Sequence, residues 1–112
     1  MSKIHQYNTL LRWTGNTGKG TENYRAYERA YTVAINGKPE LEGSSDPAFR
    51  GDPGRYNPEE MLVAALSTCH MLSYLHCCAV AGVIIADYTD SATGTMEESN
   101  EGNGRFTEVI LK

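Results

Sequence analysis

Asn57 to Gly82 reads NPEEMLVAALSTCHMLSYLHCCAVAG, and this stretch decides the architecture. Asn57 is of a type that caps helices, Pro58 suits a first helical position, and Glu59 and Glu60 favour the positive end of a helix dipole. Apolar residues then run with little polar relief to Ala81, and Gly82 is placed to end the helix. The pattern predicts one long helix, apolar on nearly every side and so buried nearly all round. Met61–Val80 is about long enough to span a bilayer, yet His70, His76 and several hydroxyls and thiols favour a soluble core helix with no membrane partner.

Working outward, Lys3–Trp13 lacks helical caps and reads as an edge or first strand. Thr14–Thr21 is turn chemistry with three glycines, at Gly15, Gly18 and Gly20. It resembles a phosphate-binding loop only superficially: the glycine spacing is wrong and Gly20, rather than Ser or Thr, follows Lys19. In Tyr24–Asn36, Tyr24, Tyr27 and Tyr31 have helical spacing, while Arg25, Tyr27, Arg29, Tyr31, Val33 and Ile35 alternate as in a strand. β-branched and aromatic content favours strand. Gly37–Tyr56, rich in Gly, Pro, Ser and Asp, is too long for a simple turn and reads as an ordered functional loop. Beyond the helix, Val83–Met96 and Arg105–Lys112 read as two further strands joined by a polar Glu97–Gly104 turn. The whole is an antiparallel α+β pattern in a single domain, residues 1–112, with no internal repeat. Its last strand stops at Lys112 without a closing element, so the domain reads as incomplete at its C-terminal end.

Folded alone, 112 residues bury only roughly 65% of their unfolded surface, which favours a dimer. A net charge of −4 argues against a nucleic-acid partner, because binding phosphates needs a positive face. The N-terminal residues carry no apolar segment behind Lys3, so no secretory signal is read and a cytoplasmic location is expected. Three cysteines within ten residues do not make a disulfide framework and fit free thiols in a reducing compartment.

A cysteine reacts as thiolate, and an ordinary thiol is mostly protonated at neutral pH unless positive charge is near. Cys69 lies about three turns into the helix, too far from its start for the dipole to act, so a cation must come from a side chain. Arg25, Arg29, Arg50 and Arg55 lie in the flanking strand and loop. Cys77 and Cys78 read as inert small apolar residues. In a straight helix Cys77 is about 12 Å of rise from Cys69, which rules out a disulfide between them. One helix cannot wrap Cys69, His70, His76 and Cys77 around an ion, so no metal and no cofactor are expected. His70 does not face its neighbour Cys69 and reads as an interior or interface histidine. No Gly-x-Ser-x-Gly elbow supports acyl transfer.

The run from Asn57 to Leu72, an Asn-Pro-Glu opening with Cys69 ten residues after Glu59, resembles the cysteine-bearing helix of the OsmC-like and organic hydroperoxide resistance family. The loop Ser45–Tyr56 and the segment Thr93–Glu98 are similar to a subgroup in which histidine follows the cysteine. The resemblance covers roughly residues 5–112 and implies an interlocked homodimer with a long central helix over an antiparallel sheet. It implies cofactor-free reduction of organic hydroperoxides, with Cys69 as peroxidatic residue, Glu59 as the paired carboxylate and an external thiol as reductant. The paired arginine is expected to be Arg50 first, then Arg25, with Arg29 and Arg55 behind them. The resolving cysteine of the family lies on a second helix beyond the point where this sequence stops.

Helix geometry adds one step: Glu59 and Cys69 are about 15 Å apart along one helix, so both serve one sulfur only if they come from different chains. Two central helices packed antiparallel across a two-fold axis satisfy this. The competing reading is a non-catalytic protein of the same fold, with a quiet Cys69 and an apolar small molecule held at the dimer interface.

Overall fold

A computed structural model describes residues 2–99 and 104–112. The chain divides into two compact units, Met1–Pro58 and Glu59–Lys112. The secondary structure is α+β, with one long helix and antiparallel sheets, as the hydrophobic pattern predicts.

The first unit holds a three-stranded antiparallel sheet in the order β1 (Leu10–Trp13), β2 (Tyr31–Ala34) and β3 (Leu41–Gly43). Leu10 pairs with Ala34 and Trp13 with Tyr31, while Tyr31 also pairs with Gly43. Gly43 has a steric reason: a side-chain carbon there would lie 2.4 Å from the Tyr31 ring. The β1–β2 ladder continues past the strands through Thr14 N–H to the Ala30 carbonyl and Glu28 N–H to the Gly15 carbonyl. Within the connection, Asn16 Oδ1 accepts from the amides of Gly18 at 2.9 Å and Gly20 at 3.0 Å. The amides a phosphate would need are therefore already occupied by the loop itself.

Two expected strands are shorter than the alternation implied. Leu10–Trp13 is all that pairs of Lys3–Trp13, and Tyr31–Ala34 is all that pairs of Tyr24–Asn36. Arg29 explains the second case. Its guanidinium lies over the rings of Tyr24 and Tyr27, 4.4 and 3.9 Å from their centroids, and donates to both of their carbonyls. One cation thus folds residues 24–27 back on themselves and keeps them out of the ladder. Asn23 adds an Asx turn by accepting from Arg25 N–H.

The loop expected at Gly37–Tyr56 is not loop throughout: Leu41–Gly43 pairs with β2 as β3, and the ordered loop is residues 44–56. Ser44 is fully buried, its hydroxyl accepts from Asp52 N–H at 3.1 Å, and its amide donates to the Tyr56 carbonyl. A 3-10 turn, Pro47–Phe49, is capped by the Asp46 side chain and closed by Arg50 in the left-handed region at φ 64°.

In the second unit α1 spans Pro58–Ala81, as predicted. Gly82 at φ 77° ends it in a Schellman closure, with Gly82 N–H on the Ala79 carbonyl and Val83 N–H on the Cys78 carbonyl. Strands β4 (Thr93–Glu98) and β5 (Gly104–Ile110) pair antiparallel with an irregularity between Thr95 and Met96. Of the turn expected at Glu97–Gly104, Glu97, Glu98 and Gly104 belong to the strands, and residues 100–103 lie outside the described residues. Val83–Met96 is not one strand, since pairing begins only at Thr93. The 83–92 segment instead gives its polar groups to other partners: Asp90 to Ser67 and Lys112, and Ser91 N–H to the Lys112 carbonyl. A side-chain carbon on Gly94 would sit 2.5 Å from Val63 Cγ2, so glycine lets β4 approach the helix.

The expectation that α1 is buried nearly all round does not hold for the single chain. Cys78 is the one buried residue of the helix among those described. By length and composition alone the helix could cross a bilayer. One side of it, however, is committed to its own sheet.

Candidate functional site

Helical residues advance by about 100° each, so contacts within the second unit define which way α1 faces. Val63 meets the backbone at Gly94, Ser67 Oγ donates to Asp90 Oδ2, and the Tyr74 ring lies 6.0 Å from that of Tyr88. These three positions fall within about 40° of one line along the helix, and Cys78 continues that line.

Cys69 is about 200° round from Ser67 and so points away from the sheet of its own unit. Leu62, Cys69, Leu72 and Val80 share this outward face, and all are exposed: 43% for Leu62, 62% for Leu72 and 76% for Val80. Cys69 thus sits near the middle of an exposed, mostly apolar face that also carries His76, seven residues further along. Its expected burial is corrected on this point: within one chain the thiol is open, because the residues able to cover it are not supplied by its own sheet.

Glu59, on the first turn of α1, is half-buried, and its Oε2 is buried without a hydrogen-bond partner. A carboxylate oxygen taken from water without a partner is costly, so this position favours a cation or donor brought to it. The unbroken helix keeps Glu59 and Cys69 of one chain about 15 Å apart along the axis and does not bring them together. It likewise keeps Cys77 about 12 Å from Cys69, and all three cysteines are free.

Both candidate arginines lie in the first unit. Arg50 is exposed at the end of the 3-10 turn, Arg25 is exposed in the bend after Asn23, and among the described residues no hydrogen bond or ion pair engages either guanidinium. Arg29 differs from both, since its two rings and two carbonyls hold it in place. Arg55 stands 3.9 Å from Asp52 and has a buried Nη1 without a partner. No cluster of three or more metal-ligating side chains occurs among the described residues.

His70 lies on the sheet-facing side of α1 and, with Tyr74, lines a cleft of about 400 Å³ completed by Ile85, Asp87, Tyr88 and Lys112. Hydrogen bonding and charge interaction with Cys78, one turn along, then desolvation and the neighbouring Tyr88, push the Tyr74 phenol above its ordinary value of 10.0. The alternation of apolar and polar residues pointed to none of the Ser67, Asp90, Tyr74 and Tyr88 contacts. Asp90 lies 23 residues from Ser67, and only folding brings the two together.

Residues 51–112 match the family described as OsmC-like protein. A solved structure, that of an OsmC-like protein of unknown function from Vibrio cholerae O1 biovar eltor, aligns with a TM-score of 0.82 at 28% identity. The alignment covers 96% of this chain and 72% of that one. A search of curated proteins found no match.

Proposed function

The chain belongs to the OsmC-like family, and on that premise we propose that it reduces organic hydroperoxides through Cys69. The Cys69 thiolate forms a bond to the peroxide oxygen that bears hydrogen as the O–O bond breaks. The organic alkoxide leaves and takes up a proton as alcohol, and Cys69 becomes a sulfenic acid. Two equivalents of an external thiol return it to the thiol, releasing water and the oxidised reductant as a disulfide. Cys77 is too far along the helix to act as the partner sulfur.

The observation that carries this reading is the position of Cys69 at the middle of an exposed apolar helix face. A second supports it: the unpartnered buried oxygen of Glu59 on the same helix. Two copies of that face, packed antiparallel in a homodimer, cover the apolar side chains, and each Glu59 approaches the other chain's Cys69. The guanidinium that joins them is Arg50, with Arg25 the second choice, because both are unengaged where Arg29 is committed. Its charge holds the thiolate. Trapping with a cyclic dione after treatment with cumene hydroperoxide tests the chemistry. Sulfenic acid is expected at Cys69, and its absence in the dimer refutes the reading.

The same apolar face supports a second reading, a non-catalytic dimer that holds an apolar small molecule. It predicts an inert Cys69 together with saturable binding of a fluorescent fatty-acid probe, lost on Leu72→Glu.

A further inference from the structure

Asp90 lies outside any helix or strand, and both of its carboxylate oxygens are engaged. Oδ2 accepts from the Ser67 hydroxyl on α1, and Oδ1 accepts from the Lys112 N–H just past β5. The Lys112 carbonyl in turn accepts from Ser91 N–H at 2.9 Å. One carboxylate therefore ties the helix to the segment leading into β4 and to the end of β5. Hydrogen bonds to an ionised carboxylate are roughly twice as strong as neutral ones and are directional.

The other two contacts on this side of α1 are of a different kind. Val63 against Gly94 and Tyr74 against Tyr88 are packing contacts, which select the side of the helix that faces the sheet but yield to small rotations about its axis. The Ser67 bond is directional and fixes that rotation more narrowly. A roll by one residue, about 100°, replaces Ser67 at the sheet by Leu66 or Thr68 and swings Cys69 by the same angle away from the centre of the open face. We propose that Asp90 is a positioning residue: through Ser67 it sets the rotation of α1 and so keeps the Cys69 thiol facing outward at the middle of that face. The consequence for turnover rests on the peroxidase reading above, whereas the lock itself does not.

The full chain carrying Ser67→Ala, Asp90→Ala, Ser67→Thr or Asp90→Asn separates the possibilities. Amide exchange at Lys112, whose N–H bonds Asp90, is expected to speed up by about tenfold in Asp90→Ala. In Ser67→Ala and Asp90→Ala the rate at which cumene hydroperoxide oxidises Cys69 falls by about tenfold, while alkylation by iodoacetamide, which needs only access, changes by less than about twofold. Ser67→Thr keeps the hydroxyl and restores the oxidation rate. Ser67→Ala removes a single oxygen, so it reports even if Asp90→Ala does not fold. Wild-type oxidation rates in both alanine variants overturn the positioning role, as does an equal loss in Ser67→Thr and Ser67→Ala. If wild-type Cys69 forms no sulfenic acid, the peroxidase reading falls. The lock is then judged by attaching a nitroxide to Cys69: an unchanged spectrum in Ser67→Ala and Asp90→Ala overturns it.

Discussion

The two faces of α1 are built from nearly the same kinds of residue and meet different fates. On one, Val63, Ser67 and Tyr74 lie against β4 and the 83–92 segment. On the other, Leu62, Cys69, Leu72 and Val80 are left open. Hydrophobicity does not choose between them, since a leucine is exposed on one side while a serine is engaged on the other. What separates the faces is shape and polarity in the partner: a glycine where the helix must come close, and a carboxylate where a hydroxyl needs an acceptor. An apolar face left open on a helix marks a surface for association, and the thiol lies in the middle of this one.

The largest expected effect concerns the open face. Cys69→Ser should abolish sulfenic acid formation and hydroperoxide consumption altogether, whereas Cys77→Ser, about 12 Å further along the helix, should leave both within about twofold. Loss of activity in Cys77→Ser with Cys69 intact would move the chemistry to the wrong sulfur.

Next in size is a break on the anchored face. Gly94→Val forces new carbon atoms into Val63 and the Phe106 ring, which lie 2.5 and 3.0 Å from a built side-chain carbon. Overpacking of this kind costs about 1–3 kcal/mol, visible as a lowered urea midpoint. Leu72→Glu on the open face should instead leave secondary structure by circular dichroism intact and shift the sedimentation coefficient from dimer to monomer. A dimer that survives this charge places the interface elsewhere.

The smallest effect sharpens the anchored side. Cys78→Ala removes the first cause of the raised Tyr74 value, so the phenol should titrate closer to 10.0 when followed by ultraviolet absorbance. A phenol whose folded value is raised contributes stability that is fully present below the unfolded value. That contribution is lost as pH climbs through the folded one, so the wild type should lose stability above pH 10 and Cys78→Ala should lose less.

Much of the fold is legible in the sequence. The limits of α1 follow from residues whose local chemistry admits few alternatives, Pro58 and the acidic pair at one end and Gly82 at the other, and both ends lie where expected. Strand limits were less legible, because alternation in Tyr24–Asn36 says nothing about Arg29 turning to stack on Tyr24 and Tyr27. For the candidate site, the spacing of Glu59 and Cys69 was readable as an axial distance. The direction of each side chain was not.

By itself the amino-acid order determined one long apolar helix, its caps, the thiol at position 69 and the separation of that thiol from Glu59 and Cys77. These depend on neighbours in the chain and on the fixed rise and pitch of a helix. Only the tertiary structure decided which side of the helix is anchored and which is open. That choice rests on contacts such as Asp90 with Ser67 and Gly94 with Val63, made between residues far apart in sequence that share no periodic signal.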